Sequence, residues 1–139
     1  MDIENKDYLA VIQCHIVKER CSGYYCEKAY VHREGGFVAY PKEKNYRTLY
    51  FTCGGCCGLA VHRKLSDLIH SIKKREGVAK DKIAVHLSSC MTRDNYHGPV
   101  CPHLDYIKDL VLRHGLDLVE GTATSTLSEK RREKGIYQS

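Results

Sequence analysis

Nowhere in these 139 residues does an apolar run approach the ~20 residues that a membrane span needs. The opening stretch MDIENKDYLAVIQC has no basic n-region, and its apolar part is short and interrupted. A secretory signal peptide is therefore not expected there, and the expected location is the cytoplasm. Prolines number only three, and no internal repeat or low-complexity tract occupies the body of the chain. Fibrous and solenoid architectures drop out on that ground. What is left is a globular composition, 42% apolar and 28% charged, at a length suited to one domain.

Against that background eight cysteines and eight histidines are conspicuous. Cysteine is about 6% of the chain, below the level of a disulfide scaffold. Thiols stay reduced in the cytoplasm, where cysteine-rich chains bind metals or do catalysis more often than they cross-link. The formal charge is +5, of which +2 belongs to the segment Glu129–Lys134 and +3 to the rest. Four thiolates around a divalent ion would add −2, so a metal-loaded body approaches neutrality. The basic excess reads as a solvated surface, and no nucleic-acid partner is expected.

Four runs rich in β-branched and aromatic residues have strand length: Tyr8–Cys14, Tyr46–Cys53, Lys82–Cys90 and Leu116–Gly121. The first three are apolar enough for strands buried on both faces, as in parallel sheets. Gly36–Tyr40, ending at Pro41, reads as an edge or hairpin strand. Between them lie helical patterns. Leu65, Leu68, Ile69 and Ile72 make one face of a helix over Leu59–Glu76, stopped by Gly77. Leu104, Ile107, Leu110 and Val111 do the same over Pro102–His114, with Pro102 at N1 and Gly115 as the stop. A shorter helix falls within residues 23–34. Alternating strands and helices predict a three-layer α/β domain over residues 1–121, Rossmann-like or flavodoxin-like, with a mostly parallel sheet of four to five strands. Residues 122–139 carry Ser, Thr and charge without an apolar face, and read as a basic, flexible tail.

This frame locates the thiols. Cys14, Cys53 and Cys90 end three strands, and in a parallel sheet all carboxyl ends lie on one edge. Cys56 stands one turn past Cys53. Cys101 is placed at the N-cap of the last helix, while Cys21 and Cys26 follow the first strand, so all eight cysteines map to that edge. Scattered core cysteines would also fall mid-strand and inside helices. Thiolates suit zinc, copper(I) and iron–sulfur clusters. Cys53-Gly-Gly-Cys56 has chelating spacing, and its glycines let the backbone bend tightly. The spacings match neither a zinc finger nor a zinc ribbon. A dithiol–disulfide pair of Cys53 and Cys56 is the redox alternative. Cys14-x5-Arg20 and Cys57-x5-Arg63 have cysteine-phosphatase spacing, which chance also supplies in a chain this rich in Cys and Arg. HIVKE after Cys14 has no glycine with which to form an anion nest.

Among the histidines, His103 in Cys101-Pro102-His103 is the candidate ligand or proton carrier, and His97 follows it. His86 lies mid-strand as a hydrogen-bonded core residue. His15 points away from Cys14 by strand alternation, and His62, His70 and His114 sit on helix surfaces.

The chain resembles the CGGC-domain family, small prokaryotic proteins named for that central tetrapeptide. The resemblance covers about Tyr8 to Thr122. It is carried by Cys14 and Cys21 with six residues between them, the Cys-Ser-Gly beginning at Cys21, Thr-Cys53-Gly-Gly-Cys56, Ser-Ser-Cys90 and Cys101-Pro102-His103. It implies a compact α/β fold and a metal site drawn from Cys14, Cys21, Cys53, Cys56, Cys90, Cys101 and His103. Cys26 and Cys57 fall outside the pattern, and this chain has Ala123 where the family closes with a histidine. The resulting expectation is a zinc-binding protein with a metal ion as its partner and no membrane association. The alternative is an iron–sulfur or thiol-redox protein. A metal sensor, store or carrier, an enzyme, and a domain held together by its metal are all compatible with these residues.

Overall fold

The computed structural model describes residues 3–55, 58–94 and 101–123. Four strands form its sheet: β1 (Tyr8–Gln13), β2 (Arg47–Thr52), β3 (Ile83–Leu87) and β4 (Asp117–Glu120). All pairings are parallel and the order is β2-β1-β3-β4. That is the flavodoxin-like version of a doubly wound sheet. In register, Tyr8 stands between Arg47 and Ile83, and Ala84 faces Asp117. The helices are α1 (His15–Lys18), α2 (Tyr24–His32), α3 (Leu59–Glu76) and α4 (Leu104–Arg113). Among the described residues no helix is long and apolar enough to cross a membrane.

Strand alternation sorts the core into two layers. Tyr8, Ala10, Ile12, Ile83, Val85 and Leu87 face α3 and α4, meeting Leu65, Leu68 and Ile72 on one helix and Ile107, Leu110 and Val111 on the other. Each fully buried Leu or Ile there stabilises by about 1.5–3 kcal/mol. Leu9, Val11 and Ala84 face the opposite layer, built from Ala29 of α2 with Phe37, Tyr40 and Tyr46. The bounds of α3 coincide with the run read from sequence, and Gly77 ends it in a left-handed conformation at φ 69°.

Four sequence expectations are corrected. β2 is an edge strand and half-exposed, not buried on both faces; Phe51 packs partly against one core layer and Tyr50 partly against the other. Gly36–Tyr40 forms no strand. A three-residue 3-10 turn, Gly35–Phe37, curls the chain so that Gly36 N–H reaches Thr122 O at 2.8 Å. A Cβ on Gly36 would stand 2.2 Å from Gly121 O, so the apolar residues nearby serve a close crossing, not an extended pairing. Pro102 lies before α4, whose N-cap is His103, not Cys101. Thr122, assigned by composition to the tail, is 1% exposed and exchanges hydrogen bonds with Ser89.

His86 lies mid-strand and buried, as read. Its Nδ1–H donates to Gly121 O at 3.0 Å, so Nε2 accepts from the Tyr40 hydroxyl at 2.7 Å, and Phe37 stacks on the ring. Burial holds its pKa down at about 4 against a lesser upward pull from the Gly121 carbonyl, and burial raises that of Tyr40.

Candidate metal centre

In this strand order the chain leaves β1 toward β2 and leaves β3 toward β4. The carboxyl ends of β1 and β3 therefore flank the point where the winding reverses, the usual place for a ligand crevice. Cys14 follows β1 directly. It caps α1 with extended backbone, its carbonyl takes Lys18 N–H at 3.0 Å, and its side chain is buried. Cys21 arrives one short helix later, and its sulfur accepts Gly23 N–H at 3.4 Å. Cys53 follows β2, is buried, and donates its N–H to Gln13 O at 3.3 Å. Cys90 opens a single π-turn, Cys90–Asp94, three residues beyond β3. Its sulfur lies 2.9 Å from Ser88 Oγ. Cys101 is tied to that turn by its N–H to Met91 O at 3.1 Å, and its carbonyl takes Leu104 N–H at the start of α4.

These five thiols, from four chain segments, all belong to or pack against the core layer that also holds Val17, Met91 and Ile107. Burial pushes the Cys90 thiol up to about 11, opposed by the Ser88 hydroxyl and the Cys14 amide. The Cys14 and Cys26 thiols push it further up. Cys101 is raised by burial first, opposed by the His103 N–H, with Cys53 and Cys14 adding to the rise. Both burial and neighbouring sulfurs thus oppose ionisation of Cys90 and Cys101. A bound cation reverses that logic and favours the deprotonated ligands. Among the described residues, no three His, Cys, Asp or Glu side chains already converge at ligating distance.

The loop after Cys53 is sterically committed. Gly54 and Gly55 have φ of 90° and 83°. A Cβ on Gly54 would lie 2.6 Å from the Ala60 Cβ, and one on Gly55 would lie 2.6 Å from the His15 ring. Both Cys56 and Cys57 lie outside the described residues, as does His97. His103 is exposed; its backbone amide, not its ring, is what the structure aims at Cys101.

Other groups at this edge were missed by sequence reasoning. Ser88 bonds Cys90, a role visible in Ser-Ser-Cys only once the turn is known. His15 does not simply point away: its Nδ1 is 3.1 Å from Thr52 Oγ1, and the same hydroxyl takes Gly54 N–H at 3.3 Å. Cys26, set aside by motif, lies 3.3 Å from Thr122 Oγ1. The Cys14-x5-Arg20 spacing builds no anion loop, because residues 15–18 are helical and the amides of Lys18, Glu19, Arg20 and Cys21 are taken by carbonyls of the same turn. A groove of about 800 Å³ lies between β2 and α3, lined by Phe51, Arg63, Lys64 and Arg75, with no cysteine among its lining residues.

A family model described as the CGGC domain matches residues 8–123. No curated protein and no solved structure matches the chain.

Proposed function

This chain belongs to the CGGC domain family, and from that premise we propose that it is a metal-binding protein whose ion is zinc, held at the cysteine-rich carboxyl edge of the sheet. The observation that carries the reading is that Cys14, Cys53 and Cys90 follow the carboxyl ends of three neighbouring parallel strands. Thiolates at this density suit a borderline-soft d¹⁰ ion, and four of them complete a tetrahedral zinc site. Cys14 and Cys53, both buried past the ends of β1 and β2, and Cys101 ahead of α4 are the inner donors in this reading. Cys90, Cys21, Cys56 and His103 supply the remaining places or the shell around them. Binding an ion here offsets the repulsion among buried thiolates, so metal uptake and local ordering are linked. The role that fits is a binding module that takes up and releases its ion.

Elemental analysis with an absorption spectrum, on protein purified without oxygen, tests this. The expected result is colourless protein with stoichiometric zinc, and a Cys53→Ser variant that loses most of it. Brown protein with iron and sulfide would replace zinc by a cluster. Metal-free protein with every thiol titratable would overturn the metal reading and leave Cys53 and Cys56 as a redox pair.

A further inference from the structure

The helices α3 and α4 lie side by side, and a histidine of α3 meets the one that caps α4 across their seam. His62 Nδ1 is 3.0 Å from His114 Nε2, and the rings stack with centroids 4.9 Å apart at 26°. His62 is one turn into α3 and exposed to solvent. His114 caps the end of α4, its amide held by the Leu110 and Val111 carbonyls and its own carbonyl by Lys80 Nζ at 2.9 Å. The two backbones are therefore anchored separately, one within α3 and one at the end of α4.

Two imidazole nitrogens on one ion, at about 2.0–2.1 Å and with an angle of about 90–110° at the metal, stand about 2.9–3.4 Å apart. The observed 3.0 Å lies in that window with no backbone movement. We propose that His62 and His114 form a two-imidazole surface site for a divalent first-row transition ion of the zinc, nickel or copper class, using none of the cysteines as ligands. In the ion-free state one ring donates its N–H to the other. On binding, that proton moves to the far nitrogen of its own ring by exchange with solvent, so two neutral rings coordinate with no net proton released. Desolvation first, then His62 and Lys80, hold the His114 pKa below the ordinary histidine value, which keeps its lone pair available at neutral pH. Water completes the coordination, and the Lys80 charge limits the affinity.

The test is titration of the whole ¹⁵N-labelled protein with Ni²⁺, read as paramagnetic broadening of assigned signals. The location of the broadening separates this site from any nickel at the cysteines. Loss of signal centred on His62 and His114 is expected at low nickel. In His62→Ala or His114→Ala, the nickel concentration needed at the surviving partner should rise at least about tenfold, because a chelate becomes a single imidazole. His70→Ala, another exposed α3 histidine, should change nothing. Signals at His62 and His114 that stay sharp in excess nickel would overturn the proposal. So would unchanged binding in either single variant. The wild-type map decides the matter even if a variant fails to fold.

Discussion

Gly54→Ala is a sharp test of how the loop after Cys53 is built. Two separate costs are expected. The first is backbone strain, since φ at Gly54 is 90°, a region that costs an L-residue about 1–2 kcal/mol. The second is collision. The new methyl would stand 2.6 Å from the Ala60 Cβ, which is fixed to the first turn of α3 and cannot rotate away. Overpacking of this kind costs about 1–3 kcal/mol. The sum is about 2–5 kcal/mol, read as a fall in the urea midpoint at unchanged m-value. Gly77→Ala supplies the comparison. Gly77 also has positive φ, 69°, but nothing lies within 4 Å of its added Cβ, so only the strain of about 1–2 kcal/mol applies. The double variant Gly54→Ala with Ala60→Gly removes the obstructing methyl. It should recover most of the collision cost, less about 1 kcal/mol or under for glycine in a helix. Equal losses in Gly54→Ala and Gly77→Ala, or no recovery in the double variant, would refute the claim that close approach to α3 dictates this glycine. Zinc content measured on the same samples should fall in Gly54→Ala and hold in Gly77→Ala.

Three further outcomes follow from the same contacts. Cys26→Ser should leave zinc content unchanged, because a serine hydroxyl can keep the Thr122 contact; metal loss equal to that of Cys53→Ser would place Cys26 among the ligands. His86 is held neutral when folded, so stability is full above its unfolded pKa of about 6.5. It declines as pH falls toward about 4, by up to about 3 kcal/mol. Urea unfolding from pH 8 to 4 should show that decline in the wild type and a flatter profile in His86→Gln. At the opposite sheet edge the Lys6 ammonium, 4% exposed, is held by Asp117 at 2.5 Å and by the Asp81 carbonyl. Asp117→Ala should cost about 1–3 kcal/mol, more than Lys6→Met, since only the former leaves a buried charge without its counter-ion; the reverse order in thermal melting would count against that account.

The strands were legible because β-branched and aromatic residues concentrate in runs of strand length, and α3 because its apolar stripe keeps helical spacing from Leu65 to Ile72, about two turns. Edge or centre was not legible: Tyr50 and Phe51 look as apolar as Val11 and Ile12, and only the pairing order assigns β2 to the rim. The curl at Gly35–Phe37 was hidden because it depends on Gly121, some 85 residues away, a contact no local pattern announces. Much of the candidate site could be read once a parallel sheet was assumed, since that assumption alone sends Cys14, Cys53 and Cys90 to one edge. The π-turn at Cys90, the partnership with Ser88 and the contact of Cys26 with Thr122 could not, because they depend on how loops settle against one another. The His62–His114 pair was read as two separate surface residues; their contact depends on how α3 and α4 lie against each other.

Thr122 also bears on the order in which this protein is made. It joins Gly36, Ser89 and Cys26 through its carbonyl, amide and hydroxyl, and it directly follows Gly121, whose carbonyl holds His86. While the nascent chain is still short of residue 122, the first three strands have been synthesised but the segments around Gly36 and Ser89 lack their common tie. Cys26 likewise lacks the Thr122 hydroxyl that it meets in the finished domain. With residue 122 in place, a single residue ties these three segments to one another.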